Sequence, residues 1–154
     1  MPGTGGRINI IDIETLTYET YQYDSSAFYF NGVSRSLKYW LFRRTAGGFA
    51  LLDRNANVVL PNFDCKCNWN ALYDPPNDGF VFMDRPSYTT AKIYFLSLSD
   101  LSYRLILATE PAPERDRGCE PESLHSKPGE IILSASCLNV GTKLGPDGAI
   151  HIKL

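Results

Sequence analysis

The sequence predicts an all-β protein: a single antiparallel domain of about eleven short strands, forming a meander of propeller-blade-like sheets or a sandwich. Three observations carry this prediction. First, the stretch Gly79 to Thr109 reads as three short apolar runs joined by two polar turns: Phe80–Met83, Ile93–Leu96 and Tyr103–Leu107. Such runs, rich in aromatic and β-branched residues and too close together to admit a helix, pair antiparallel. Second, nine Tyr and eight Phe favour pleated, half-buried surfaces. Third, Gly, Pro, Asn and Asp interrupt the chain at short intervals, and no segment carries a convincing helical period.

The elements follow in order. Residues 1–6 are expected to be a flexible lead, with a single β domain over 7–154. Ile8, Ile10, Ile11 and Ile13 make a first strand. Leu16 to Tyr23 alternates into a second, broken by Asp24-Ser25-Ser26. Phe28-Tyr29-Phe30 is a third, ended by the turn dipeptide Asn31-Gly32. Strands are expected at 37–43, 48–53, 57–60, 79–84, 92–98 and 102–108. Pro75 to Gly79 is a firm break. Glu110 to Gly129 holds four Pro and many charges, and is expected to be a long irregular excursion. Strands return at 130–137, 138–144 and 149–154. The segments Trp40–Pro61 and Gly79–Leu107 share a loose strand–turn–strand–turn–strand pattern, although a chain of 154 residues is too short for a closed propeller of four or more blades.

A chain of this length buries about 70% of its unfolded surface as one domain. Its net charge of -2 gives no electrostatic reason to expect nucleic acid or an anionic membrane. No apolar run approaches the roughly 20 residues that cross a bilayer as a helix. The start, MPGTGGR, is neither a signal nor a transit peptide.

Four cysteines, Cys65, Cys67, Cys119 and Cys137, permit two disulfides in three connectivities. A Cys65–Cys67 bridge is disfavoured, because in a strand their Cα atoms stand roughly 6.5–7 Å apart. Two bridges would therefore join 65 and 67 to 119 and 137 in either order. A single Cys119–Cys137 bridge would clamp the Pro-rich excursion, adding about 2–4 kcal/mol. Oxidised cysteines imply a periplasmic or secreted location, with the signal peptide missing from this sequence.

Catalytic chemistry finds little footing. His125 and His151 stand in no nucleophile-and-base pattern, and G-x-S-x-G is absent. Zinc would need four ligands at workable spacing, which Cys65-x-Cys67 and Cys119…His125…Cys137 do not supply. Asp53-x-Asn55-x-Asn57 begins like a calcium loop but has Val58 where Gly is required, so it reads as a hairpin turn. No metal or cofactor is expected, and the chain is read as non-enzymatic. Trp40, Trp69, Tyr73 and Tyr88 are candidates for an aromatic ligand platform, with core packing the plainer role for the two Trp.

Function on such a scaffold is carried by loops. The strand with LLDR, the Cys-containing turn, GFVFMD, the small polar loop, KIYFLSLSD and the late SASCLNVGTKL together resemble periplasmic immunity proteins that neutralise type VI secretion peptidoglycan amidases. The resemblance covers roughly residues 49–107 and 134–144. It implies a protein partner, a secreted peptidoglycan hydrolase, whose active-site groove receives a Ser-bearing loop between two strands. The matching loop is Arg85 to Ala91, with Arg85, Ser87, Tyr88, Thr89 and Thr90 as partner-binding residues. Pro86 and Tyr88 depart from the smaller residues expected there. A carbohydrate-binding β module, marked by exposed aromatics, and a structural or assembly subunit, marked by exposed apolar strands, are the alternatives.

Overall fold

Thirteen antiparallel strands and one 3₁₀ turn build the described part of the chain. The computed structural model describes residues 5–60, 71–84, 92–108, 121–135 and 149–154, so the all-β class predicted from sequence is the one that forms. Two compact units divide the chain, Met1–Phe63 and Asp64–Leu154.

The first unit holds a two-stranded hairpin and a four-stranded meander. Strands β1 (Gly5–Ile11) and β2 (Tyr18–Asp24) pair from Gly5↔Asp24 to Ile11↔Tyr18. Strands β3 (Phe28–Val33), β4 (Tyr39–Arg44), β5 (Phe49–Asp53) and β6 (Val58–Leu60) follow in spatial order. A two-stranded ribbon is marginal alone; this one is held by its inner face. Tyr21 is buried with Trp40, Phe42, Ala50 and Leu52, and Ile8, Ile10 and Tyr23 pack against that cluster. The Tyr21 ring stacks on Trp40 at 4.3 Å. Its hydroxyl donates to the Asp53 carbonyl at 2.9 Å. Trp40 is thus a core residue, 1% exposed, and not a ligand platform.

Two sequence expectations are corrected in this unit. Gly5 and Gly6 belong to β1 instead of a flexible lead. Gly6 pairs with Tyr23, and a Cβ on Gly6 would meet the Tyr23 ring at 2.2 Å; the ring covers the glycine and so holds this end of the strand. Asn31-Gly32 does not end β3. It is a bulge, the register shifting between Phe30↔Phe42 and Gly32↔Leu41, which lets the strand continue to Val33.

The second unit holds the meander β7 (Ala71–Asp74), β8 (Gly79–Asp84), β9 (Lys92–Ser97) and β10 (Tyr103–Ala108), and the three-stranded sheet β11 (Pro121–Leu124), β12 (Glu130–Ala135) and β13 (Ile150–Lys153). The loose repeat seen in the sequence therefore corresponds to two four-stranded up-and-down sheets. Val81, Ile93 and Phe95 share one core with Ile131, Leu133, Ile150 and Ile152, so this unit has the two-layer packing of a sandwich. Strand β11 lies inside the stretch expected to be irregular. It pairs with β12 through Ser123↔Ser134 and Leu124↔Leu133, because a neighbouring ladder satisfies its backbone where local sequence carries no strand signal.

Hairpin turns in both units share one device. The N–H of Asp12, Ser34, Asp53 and Ser97 each donates across its turn, at 2.8–2.9 Å, and Leu16, Leu37, Ala56 and Leu101 adopt left-handed φ of 56–62° near the turn's end. Gly47, φ 92°, takes this position between β4 and β5.

Candidate interaction surfaces

The expectation of partner binding falls on the loop between β8 and β9. Arg85, Ser87, Tyr88, Thr89 and Thr90 lie outside the described residues, as do Trp69, Cys65, Cys67, Cys119 and Cys137. The foot of the loop is described. Strands β8 and β9 pair without interruption from Gly79↔Ser97 to Asp84↔Lys92, and both are interior strands of their sheet. Phe82 and Tyr94 stack side by side at 5.6 Å and 11°, a cross-strand aromatic pair of the kind that fixes register. Gly79 is packed as tightly: a Cβ there would meet the Leu96 carbonyl and the Phe95 ring, each at 2.4 Å.

At the opposite end of β8 the sequence Asp74-Pro75-Pro76-Asn77-Asp78 forms a polar clasp. Prolines suit the first turn of the 3₁₀ segment Pro75–Asn77 because their missing N–H would be unpaired there anyway. Asp78 closes the segment in the left-handed region at φ 43°. Asn77 joins three segments: its Nδ2 donates to Asp74 Oδ2 at 2.8 Å and to the Lys127 carbonyl at 3.0 Å, and its Oδ1 accepts from Gly129 N at 2.7 Å. Asp74 is fully buried, and its Oδ1 has no hydrogen-bond partner of normal geometry. Burial pushes its carboxyl pKa up, against the opposing pull of the Asn77 amide and the Ser126 hydroxyl. Tyr73 donates to Asp78 Oδ1 at 2.8 Å and its ring lies 5.3 Å from Phe80, so it is a packing residue and no open platform.

His125 is exposed, and its backbone N–H donates to the Ile132 carbonyl. His151 Nδ1 lies 3.2 Å from Glu130 Oε1 on neighbouring strands. Asp53 serves the β5–β6 turn: its carboxylate accepts from the N–H groups of Asn55 and Asn57 and from Asn57 Nδ2, at 2.8–3.0 Å, which lowers its pKa. No group of three metal-ligating side chains occurs among the described residues.

One surface was not foreseen. The outer face of the β1–β2 hairpin carries the pairs Arg7↔Gln22, Asn9↔Thr20 and Ile11↔Tyr18. Ile11 is 65% exposed, Tyr18 72%, and at the tip Ile13 is 83% and Leu16 81% exposed. Arg7, Asn9, Ile11, Leu16, Tyr18 and Thr20 line a shallow open groove there. Thr20 Oγ1 donates to Asn9 Oδ1 at 3.1 Å. An apolar centre beside a polar border is the anatomy of a protein contact. The signal in the sequence was the run Ile8–Ile13, with apolar residues on both faces of one strand.

Comparison of the chain with protein-family models, with curated proteins and with solved structures finds no match.

Proposed function

We propose that this chain is a non-enzymatic binding protein: an immunity-type inhibitor that docks its 85–91 loop into the active-site cleft of a secreted peptidoglycan amidase, in the periplasm or outside the cell. The observation that supports this reading is the Asp84↔Lys92 pair. It closes the ladder of two interior strands at both ends of the loop, so the loop's ends are held and less ordering entropy is lost on binding. The tip sequence Ser87-Tyr88-Thr89-Thr90 offers hydroxyls to a catalytic centre and an aromatic ring as an anchor. Disulfides among Cys65, Cys67, Cys119 and Cys137 belong to the same reading, and a free-thiol count of two or fewer in unreduced, unfolded protein made in an oxidising compartment is the expected result.

The test pairs affinity with stability. Calorimetry against the amidase encoded beside this chain should show Tyr88→Ala and Thr89→Glu each weakening binding by about 2 kcal/mol or more. The melting temperature of the free variants should change little, since a surface substitution costs no more than about 0.5 kcal/mol. Unchanged affinity in both variants removes the loop from the mechanism and moves attention to residues 110–129.

A further inference from the structure

We propose that the outer face of the β1–β2 hairpin is a self-association surface, two copies packing face to face about a two-fold axis near the Ile11–Tyr18 row. The first argument comes from Leu16. A leucine at φ 56° is strained, because its Cβ crowds the following carbonyl. Leu37 and Leu101 adopt the same left-handed conformation, but both are half-buried, so contacts within the fold offset the strain. Leu16 is 81% exposed and gains little of that kind. Glycine or asparagine would form this turn at lower cost. Strain and exposure meeting in one residue point to a contact made outside the monomer.

Area supplies the second argument. Side chains of this size expose roughly 200 Å² when free. At the exposures of Ile11, Ile13, Leu16 and Tyr18, the four present about 600 Å² per copy, the upper end of the largest patch on an ordinary monomer. Complete coverage of all four in two copies would bury about 1,200 Å², the lower bound of a standard specific interface.

Charge fixes the orientation. Arg7 stands on this face four residues before Ile11, and Glu14 lies three residues beyond it at the tip. Arg7 in the strand and Glu14 in the turn closed by Asp12 N and Thr17 O therefore lie on opposite sides of the central row. An antiparallel two-fold therefore brings Arg7 of each copy towards Glu14 of the other, whereas a parallel arrangement stacks Arg7 on Arg7. Self-association is compatible with the inhibitor reading and does not rest on it.

Sedimentation equilibrium of the full chain tests the proposal. The expected result is a concentration-dependent monomer–dimer equilibrium. Ile11→Asp and Tyr18→Asp should each weaken it at least tenfold. Leu16→Gly is the discriminating variant: it should raise the melting temperature of the monomer by relieving the strained turn, while weakening the dimer. Arg7→Glu and Glu14→Arg should each weaken association, and the double variant should recover most of it. A chain that stays monomeric to several hundred micromolar overturns the proposal, as does a dimer unaffected by Ile11→Asp. A monomer that floats with phosphatidylcholine vesicles assigns the face to a bilayer instead.

Discussion

Tyr21 shows how much one side chain connects. It comes from β2, is 5% exposed, stacks on Trp40, and donates its hydroxyl to a carbonyl at the end of β5. Burial, and then the charge of Asp53, push its pKa from 10.0 to about 12. A raised phenol pKa means that the fold favours the neutral form. Its contribution is complete below pH 10 and is lost as pH rises towards 12. Tyr21→Phe should cost about 1 kcal/mol at pH 7 and flatten the alkaline decline, as measured by urea unfolding from pH 8 to 11.5. An equally steep decline in the variant would remove Tyr21 from the cause. Asp74 carries the same lesson at acidic pH. Burial raises its pKa above 3.8, so the native state holds its proton longer than the unfolded chain does. Stability from this group is present below pH 3.8 and declines as pH rises through the raised value. Asp74→Asn keeps the acceptor for Asn77 and should abolish that decline. Urea midpoints of both proteins between pH 4 and 7 check this; parallel curves would refute it.

At the scale of elements, the hairpin turns are where sequence and geometry disagree most usefully. The turns at Gly47 and Ala56 follow the same hydrogen-bond pattern, Arg44 N to Gly48 O and Asp53 N to Asn57 O, with a left-handed residue in the fourth position. Glycine suits that position and alanine does not. Ala56→Gly should therefore stabilise the protein by about 0.5–1 kcal/mol, and Gly47→Ala should destabilise it by about 1 kcal/mol. Thermal unfolding reads both, and the same sign for the two would sink the argument. Gly79 lies in β8 under Phe95, with the Leu96 carbonyl on the path of any Cβ. Because backbone cannot yield as a side-chain tip does, Gly79→Ala should cost about 3 kcal/mol. Near-native stability would show that the β8–β9 pair can spread, which would also weaken the case for a held 85–91 loop.

Across the whole molecule, turn carboxylates set the acid behaviour. Asp12, Asp24, Asp53 and Asp100 each accept hydrogen bonds from turn N–H or hydroxyl groups, and each has a lowered pKa. For Asp12 the backbone N–H groups of Thr15 and Glu14 dominate; for Asp24 and Asp100 the hydroxyls of Ser26 and Ser102 lead. A lowered carboxyl pKa gives stability that is present above 3.8 and lost as pH falls through the lower folded value. Acid unfolding should therefore set in below pH 4. Replacing all four with Asn should move its midpoint towards lower pH, as followed by circular dichroism. An unchanged midpoint would place the acid-sensitive groups elsewhere. The same spectra should show almost no helix.

The fold class was legible because strand pairing leaves period-two and turn signals in local sequence. The runs Phe80–Met83 and Ile93–Leu96 mark β8 and β9, and Asp53 to Asn57 marks a turn, whatever surrounds them. The ends of the 85–91 loop were legible for the same reason. Other features needed the tertiary structure. Asn31-Gly32 looks like a turn, yet β4 supplies partners on both sides and makes it a bulge. Pro121–Leu124 carries no strand signal, yet β12 gives its backbone a ladder. The hairpin surface was the least legible, since Ile10 and Ile11 put apolar side chains on both faces of β1. Alternation distinguishes two faces only when one of them is polar. Which face the core would cover was decided by Tyr21 packing on Trp40 and Phe42, contacts whose partners stand far from β1 in sequence.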